Sequence, residues 1–133
     1  MNNILIVHTS WYEEHVLKMV NISSEILEKK YTCHKAKAPG VIELAALAKN
    51  KIQHNKFIGV IFLGIVMRGQ TSHYDLITQE TFRSIGSLAK EYSDISIINN
   101  VICVENDDQL NERLVKNTTN NTNALINLIN EKS

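Results

Sequence analysis

Three continuous apolar runs constrain the fold of this chain more than any other feature. They read NILIV (3–7), FIGVIFLGIV (57–66) and ISIINNVICV (95–104), and a fourth segment, TCHKAKA (32–38), alternates between apolar and polar residues. Continuous runs of aliphatic and β-branched residues are typical of parallel strands that are covered on both faces. We therefore expect a parallel sheet with the alternating segment 32–38 at one edge.

Helical patterns separate the predicted strands. Apolar residues recur at helical spacing in five segments: 12–30, 41–54, 75–92, about 106–115 and about 122–131. The polar run KNTTNNTN (116–123) predicts a turn between the last two helices. Because strands and helices alternate, we expect an α/β fold, a three-layer α/β/α sandwich on a four-stranded parallel sheet with right-handed crossovers.

Length, charge and cysteine content limit the class of protein. With 133 residues the chain fits one compact domain, which we expect to span 1–133. Fourteen basic and fourteen acidic residues occur without a block of like charge, so we expect neither a nucleic-acid nor a membrane partner. Cys33 and Cys103 form no CxxC pair, and no secretory leader or membrane-spanning stretch is visible, which predicts a cytoplasmic protein.

The chemically unusual residues follow the predicted strands. The four segments at the strand ends read HTSWYEE, APGVIE, MRGQTSHYD and CVENDDQ. Ligands of open α/β sheets bind outside the carboxyl ends of the strands, so these segments predict a single site. An aromatic ring, a carboxylate, backbone amides beside a glycine and a histidine suit a planar, polyhydroxylated or phosphorylated small molecule.

Each of these residues also has a purely structural interpretation. Trp11 could cap the core, Glu43 could stabilise the first turn of a helix, and Arg113 could be a solvated helix residue. His73 and Asp75 could form a surface pair or half of a metal site, but no third ligand at suitable spacing is evident. We therefore expect no metal.

The strand-end segments resemble the lumazine synthase family. ILIVHTSWYEE resembles its first strand and aromatic loop, APGVIELAALAK its PGxxE segment, and NNVICVENDDQ its NGxLTxEN segment. The most specific match is LGIVMRGQTSHYDLITQE, which resembles the family signature LGxVIRGxTxHxD. This collinear resemblance covers most of the chain and implies a flavodoxin-like fold.

The resemblance also implies an activity. Members are transferases that condense 5-amino-6-ribitylaminouracil with 3,4-dihydroxy-2-butanone 4-phosphate to 6,7-dimethyl-8-ribityllumazine, phosphate and water, the penultimate step of riboflavin biosynthesis. No metal or organic cofactor is implied. By resemblance His73 is the general acid/base. The implied substrate-binding residues are Trp11, Val41, Ile42, Glu43, Ile65, Val66, Met67, Gln70, Thr71, Asn99 and Arg113.

The resemblance implies self-association, and the sequence departs from the family in one relevant segment. Members form homopentamers, sometimes packed into shells of sixty subunits, with each site between adjacent subunits. The family commonly has a Lys- and Gly-rich turn near the C-terminus, where this chain has Asn121, with Lys116 a few residues earlier. Together with a chain that begins almost at the first strand, this favours a pentamer.

Three other functions are compatible with parts of the sequence. A non-catalytic scaffold of the same fold would bind a flavin or lumazine without turnover. An archaeal-type riboflavin synthase would convert two lumazines, although the RGQTSHYD segment disfavours it. A flavodoxin-like signalling domain would match the fold but would leave the four strand-end segments unexplained.

Overall fold

The computed structural model describes residues 2–133, in which eight regular elements alternate between strand and helix. They are β1 (Asn3–Thr9), α1 (Glu13–Leu27), β2 (Thr32–Ala38), α2 (Leu44–His54), β3 (Gly59–Met67), α3 (His73–Glu91), β4 (Ser96–Val104) and α4 (Asp107–Lys132). A short 3₁₀ turn, Val41–Glu43, connects β2 to α2.

All pairings in the sheet are parallel. The strand order is β2-β1-β3-β4. In the register, Ile4 of β1 lies between Cys33 of β2 and Gly59 of β3, and Gly59 in turn pairs with Ser96 of β4. The parallel sheet and the edge position of β2 confirm the predictions from the apolar pattern.

Helices cover both faces of the sheet, so the two central strands are buried on both sides. Ile4 and Ile6 of β1 pack in one cluster with residues of α1 and α4. Leu5 and Val7, which alternate with them, pack on the opposite face with residues of α2 and α3. Since adjacent side chains of a strand point to opposite faces, both faces require apolar residues and the run becomes continuous. The three-layer, flavodoxin-like sandwich is therefore confirmed.

The prediction of a turn at 116–123 was wrong, because α4 runs through this segment without interruption. Thr and Asn have modest helix propensity, but tertiary contacts override it here. Thr118 and Thr122 are fully buried, and their hydroxyls hydrogen-bond to Asn100 and Ser23 respectively. The polar run is therefore part of a long helix that buries Thr118 and Thr122, and it is not a connection between two helices.

Several predicted boundaries also shift. The segment 41–54 is divided into the 3₁₀ turn and α2, and the segment 12–30 gives a helix only from Glu13 to Leu27. The helix predicted to begin at residue 75 begins at His73, so this histidine lies in the first turn of α3 and not in a loop. No helix within residues 2–133 is both long enough and apolar enough to cross a membrane.

Candidate functional site

A cavity opens at the carboxyl ends of β1 and β3, where the topology of the sheet predicts a ligand. We call it the strand-end cavity, and its volume is about 350 Å³. Its lining residues are Thr9, Trp11, Tyr12, Gly40, Val41, Ile42, Glu43, Ile65, Val66, Met67, His73 and Ile77. Larger hollows of about 410 and 540 Å³ lie at the opposite, amino ends of the strands, where the signature segments do not reach.

The first wall of the strand-end cavity comes from the segment after β1. Trp11 is 68% exposed, so the interpretation that it caps the core is wrong. Tyr12, which precedes α1, has φ 54° and ψ 48° and is the one residue other than glycine with positive φ in the described chain. The left-handed conformation is costly for a residue with a Cβ and is often found where function requires a fixed direction. The left-handed turn at Tyr12 lies directly after Trp11, and both residues border the cavity.

The second wall is the 3₁₀ turn after β2, and glycines allow its close packing. A Cβ at Gly40 would lie 3.2 Å from Glu43 Oε1 and 3.8 Å from Trp11 Cδ1. Across the cavity floor, a Cβ at Gly64 of β3 would lie 3.0 Å from Val41 Cγ1. Gly64 therefore allows the turn to lie this close to the sheet, whereas a side chain at Gly40 would require the Glu43 carboxylate to shift by a few tenths of an ångström.

The floor of the cavity is the end of β3, and α3 contributes the remaining wall. Ile65 and Val66 are buried, whereas Met67 is half-buried at the mouth. His73 is exposed at the first turn of α3, and its backbone N–H donates to Thr71 Oγ1 at 3.2 Å. An imidazole thus borders a mainly apolar floor opposite a carboxylate and an indole, an arrangement suited to moving a proton on a flat bound molecule.

Four of the residues implied by resemblance do not line the cavity. Gln70 and Thr71 lie in the exposed segment just before His73. Asn99 lies on β4, where its Oδ1 accepts a hydrogen bond of 2.8 Å from the backbone N–H of Val101. Arg113 is exposed on α4, on the other face of the sheet from α3. Within residues 2–133, no Lys or Arg is among the lining residues of the cavity.

Sequence reasoning missed several residues of the lining. Thr9, Tyr12, Gly40 and Ile77 contribute to the cavity although none was among the candidates. Ile77 is four residues after His73, so correct placement of the start of α3 would have put both on one helix face. Thr9 and Tyr12 flank the candidate Trp11, but nothing in their residue types signals a ligand.

The cysteines offer no reactive thiolate near the site. Burial raises the pKa of Cys103 to about 11, and burial together with the charge of Glu28 raises the pKa of Cys33 to about 11. Buried, protonated thiols are poor nucleophiles and poor metal ligands. In the described part of the chain, no three His, Cys, Asp or Glu side chains are grouped as a metal site.

The fold and the cavity together define a class: a flavodoxin-like α/β protein with a ligand-sized cavity at the carboxyl ends of a parallel sheet. The sequence profile of the 6,7-dimethyl-8-ribityllumazine synthase family matches residues 2–132. The chain therefore belongs to the 6,7-dimethyl-8-ribityllumazine synthase family.

Individual relatives match over a shorter length. A 6,7-dimethyl-8-ribityllumazine synthase of Neisseria gonorrhoeae is 38% identical over 79 residues, which are 59% of this chain and 49% of that protein. The enzyme of the same name from Neisseria meningitidis is 35% identical over the same shares. The matched part of the chain thus spans about half of the length of these relatives.

Proposed function

We propose that this chain, as one lumazine-synthase-like domain, condenses 5-amino-6-ribitylaminouracil with 3,4-dihydroxy-2-butanone 4-phosphate to give 6,7-dimethyl-8-ribityllumazine. The observation that carries the proposal is the convergence of Trp11, Glu43 and His73 on one cavity of about 350 Å³ in a chain of this family. These are the three side chains whose chemistry the reaction requires. A cytoplasmic location remains a prediction.

The cavity supports a specific orientation of the pyrimidine substrate. The exposed indole of Trp11 offers a face on which a uracil ring stacks. The Glu43 carboxylate, in the 3₁₀ turn, accepts hydrogen bonds from the hydroxyls of the ribityl chain, which runs along Val41 and Ile42. The ring edge then meets the backbone of Ile65–Met67 at the end of β3. This orientation directs the reactive amino group towards His73.

The reaction consists of proton transfers and bond changes that need no cofactor. The amine adds to the ketone and loses water, phosphate leaves, and the ring closes with loss of a second water. Because both reactants carry their own reactive groups, holding them together supplies much of the acceleration. His73 moves protons between the nitrogen, the departing water and the carbon framework, a contribution on the order of 10²-fold.

We propose further that the complete site needs a second copy of the chain. Among residues 2–133, no Lys or Arg lines the strand-end cavity to bind the phosphate group, although Gln70 and Thr71 lie close to His73. Arg113, a charge-assisted donor for phosphate, lies on α4 and reaches a site only in an adjacent subunit, as does Asn99 on the edge strand β4. A homopentamer, or a larger assembly of pentamers, brings these residues to the cavity.

The experiment is to mix purified protein with both substrates and to follow lumazine absorbance and phosphate release against the protein-free rate. We expect both products to form well above background, and we expect His73→Ala to retain part of the activity because positioning remains. Product formation at the background rate with tight pyrimidine binding would favour the scaffold function. Riboflavin formation from lumazine alone would indicate a riboflavin synthase instead.

A further inference from the structure

Arg68, the first residue after β3, is held from four directions. Its backbone N–H donates to the carbonyl of Val104 at 2.9 Å. Its guanidinium lies 3.2 Å from Asp75 Oδ1 through Nη2, and 3.2 Å from Glu105 Oε1 through Nε. The guanidinium carbon also lies 4.4 Å from the centre of the Tyr74 ring. We call Arg68, Tyr74, Asp75 and Glu105 the Arg68 clamp.

The clamp connects three segments that meet beside the strand-end cavity. Arg68 extends from the end of β3, Glu105 follows β4, and Tyr74 and Asp75 belong to the first turn of α3. His73 immediately precedes Tyr74 in that turn. The Arg68 guanidinium contacts Tyr74 and Asp75, the two residues after His73. It therefore also fixes the direction from which the His73 side chain extends.

Besides the clamp, the first turn of α3 is held by its own backbone hydrogen bonds and by the packing of Ile77 against the core. The His73 side chain forms no hydrogen bond with residues 2–133, and its backbone N–H donates to Thr71 Oγ1. The segment 69–72 is exposed, and the space around Gly69 is open to 4 Å. The orientation of the imidazole thus depends on the placement of α3, and the clamp supplies polar contacts that tie the start of α3 to the ends of β3 and β4.

The clamp is better suited to fixing geometry than to stabilising the fold. Its charged side chains are between 41% and 61% exposed, and ion pairs at such sites contribute little to the free energy of unfolding. A guanidinium is a planar fork that bonds in fixed directions and also stacks on an aromatic face. Burial raises the pKa of Tyr74, so its ring remains neutral under the cation.

We infer that Arg68 is a positioning residue for His73 and acts through Tyr74 and Asp75. This inference rests on the proposed function, because it assumes that His73 transfers protons in the condensation. Arg68 itself is not among the lining residues of the cavity and needs no contact with substrate. Its removal should lower kcat and leave the binding of the pyrimidine nearly unchanged.

The test compares Arg68→Gln with Arg83→Gln in steady-state assays. Arg83 is a matched control, because it lies on the same helix and bonds an acidic partner, Glu80, far from the cavity. For Arg68→Gln we expect kcat to fall about 10-fold or more and KM for ribitylaminouracil to stay within about 2-fold, since misplacement of a reacting group reduces turnover. Arg83→Gln should retain both values.

A double-mutant cycle separates positioning from a general effect of charge. In the background Asp75→Asn with Glu105→Gln, adding Arg68→Gln should lower kcat only slightly further, because both ion pairs of the clamp are already removed. Arg68→Lys keeps the positive charge without the planar guanidinium, so its kcat should lie between that of Arg68→Gln and that of the unsubstituted protein. A fully active Arg68→Lys, or additive losses in the cycle, would contradict the inference.

A readout without turnover distinguishes failure of this inference from failure of the proposed function. NMR spectra of the His73 imidazole in the substrate-free protein should shift or broaden in Arg68→Gln and stay unchanged in Arg83→Gln. Unchanged His73 signals in Arg68→Gln would overturn the positioning role even if catalysis is established. If the unsubstituted protein makes no lumazine above background while the His73 signals still shift in Arg68→Gln, the proposed function fails and the effect of Arg68 on the orientation of His73 stands.

Discussion

Asn100, in the middle of β4, donates its side-chain amide to the hydroxyl of Thr118 on α4 at 3.0 Å. Asn100 is 2% exposed and Thr118 is fully buried, so neither group can turn to water for a replacement bond. Asn121 completes the arrangement by donating to Asn100 Oδ1 at 2.7 Å. This contact therefore sets the rotation of α4 against the sheet.

Thr118→Val should reduce the free energy of unfolding by about 1–3 kcal/mol, because it leaves the buried Asn100 donor without a partner at unchanged side-chain shape. Urea denaturation at fixed protein concentration measures the change. Thr119→Val is the matched control, since Thr119 is half-buried and outside this arrangement, and it should change stability by no more than about 0.5 kcal/mol. Equal losses for both variants would mean that the hydrogen bond has no special role.

Gly64→Ala should destabilise the protein by about 1–3 kcal/mol through overpacking and weaken pyrimidine binding. Its Cβ would meet Val41 Cγ1 at 3.0 Å and Thr9 Cγ2 at 3.3 Å and would push the 3₁₀ turn off the sheet. Thermal unfolding and calorimetric titration with ribitylaminouracil measure the two effects.

Two controls isolate this clash. Adding Val41→Ala to Gly64→Ala should recover part of the stability, because it removes the atom that the new methyl group meets. Gly86→Ala, at an exposed position on α3 with open space around it, should instead stabilise by about 0.5–1 kcal/mol. A destabilised Gly86→Ala would show that glycine replacement is harmful for reasons other than packing.

Trp11→Ala should weaken binding of ribitylaminouracil by about 1–3 kcal/mol, the usual contribution of one stacked base, without loss of stability. The ring is 68% exposed, so it contributes little to the core. Trp11→Phe retains an aromatic face and should keep most of the affinity. Calorimetric titration of the unsubstituted protein, Trp11→Ala and Trp11→Phe with ribitylaminouracil measures the three affinities. An unaltered affinity in Trp11→Ala would exclude stacking on this residue.

Acidification should destabilise the protein through His8. Burial lowers the pKa of this imidazole, and the positive charges of Lys37 and Lys35 lower it further. The hydrogen bond to the Thr9 carbonyl acts in the opposite direction. Below the unfolded pKa of about 6.5 the unfolded chain binds the proton more strongly than the folded chain does. Stability is therefore complete above that pH and falls as the pH decreases from about 6.5 towards the folded pKa.

The measurement for His8 is the free energy of unfolding as a function of pH between neutral and mildly acidic conditions, at one protein concentration. His8→Gln should flatten this dependence, because the glutamine side chain does not titrate. A slope that is identical in His8→Gln would assign the acid sensitivity to other groups.

The sheet and the place of the site were predictable because both follow from local pattern and topology. Strands that are buried on both faces carry continuous apolar runs, as β1, β3 and β4 do. Because the strands are parallel, the loops that follow them meet at one edge of the sheet. The continuity of α4 was not predictable. Its polar residues are stabilised by Asn100 and Ser23, which lie 18 and 99 residues from their partners in the sequence.

The details of the site depended on one boundary. Placing the start of α3 two residues too late separated His73 from Ile77, although both line the same cavity. The sequence also did not predict that Asn99 and Arg113 lie away from that cavity. Their positions depend on which face or edge of the sheet carries each element. The role of the two residues therefore remains a proposal about the assembled protein.

The edge strands have a further consequence, for aggregation. β2 carries Lys35 and Lys37. On β4 the backbone N–H of Val101 donates to the side chain of Asn99 and is therefore not free to pair with an added strand. Charged residues and occupied amides are features by which natural sheets resist edge-to-edge pairing. A newly made chain is thereby protected from uncontrolled extension of its sheet by other chains.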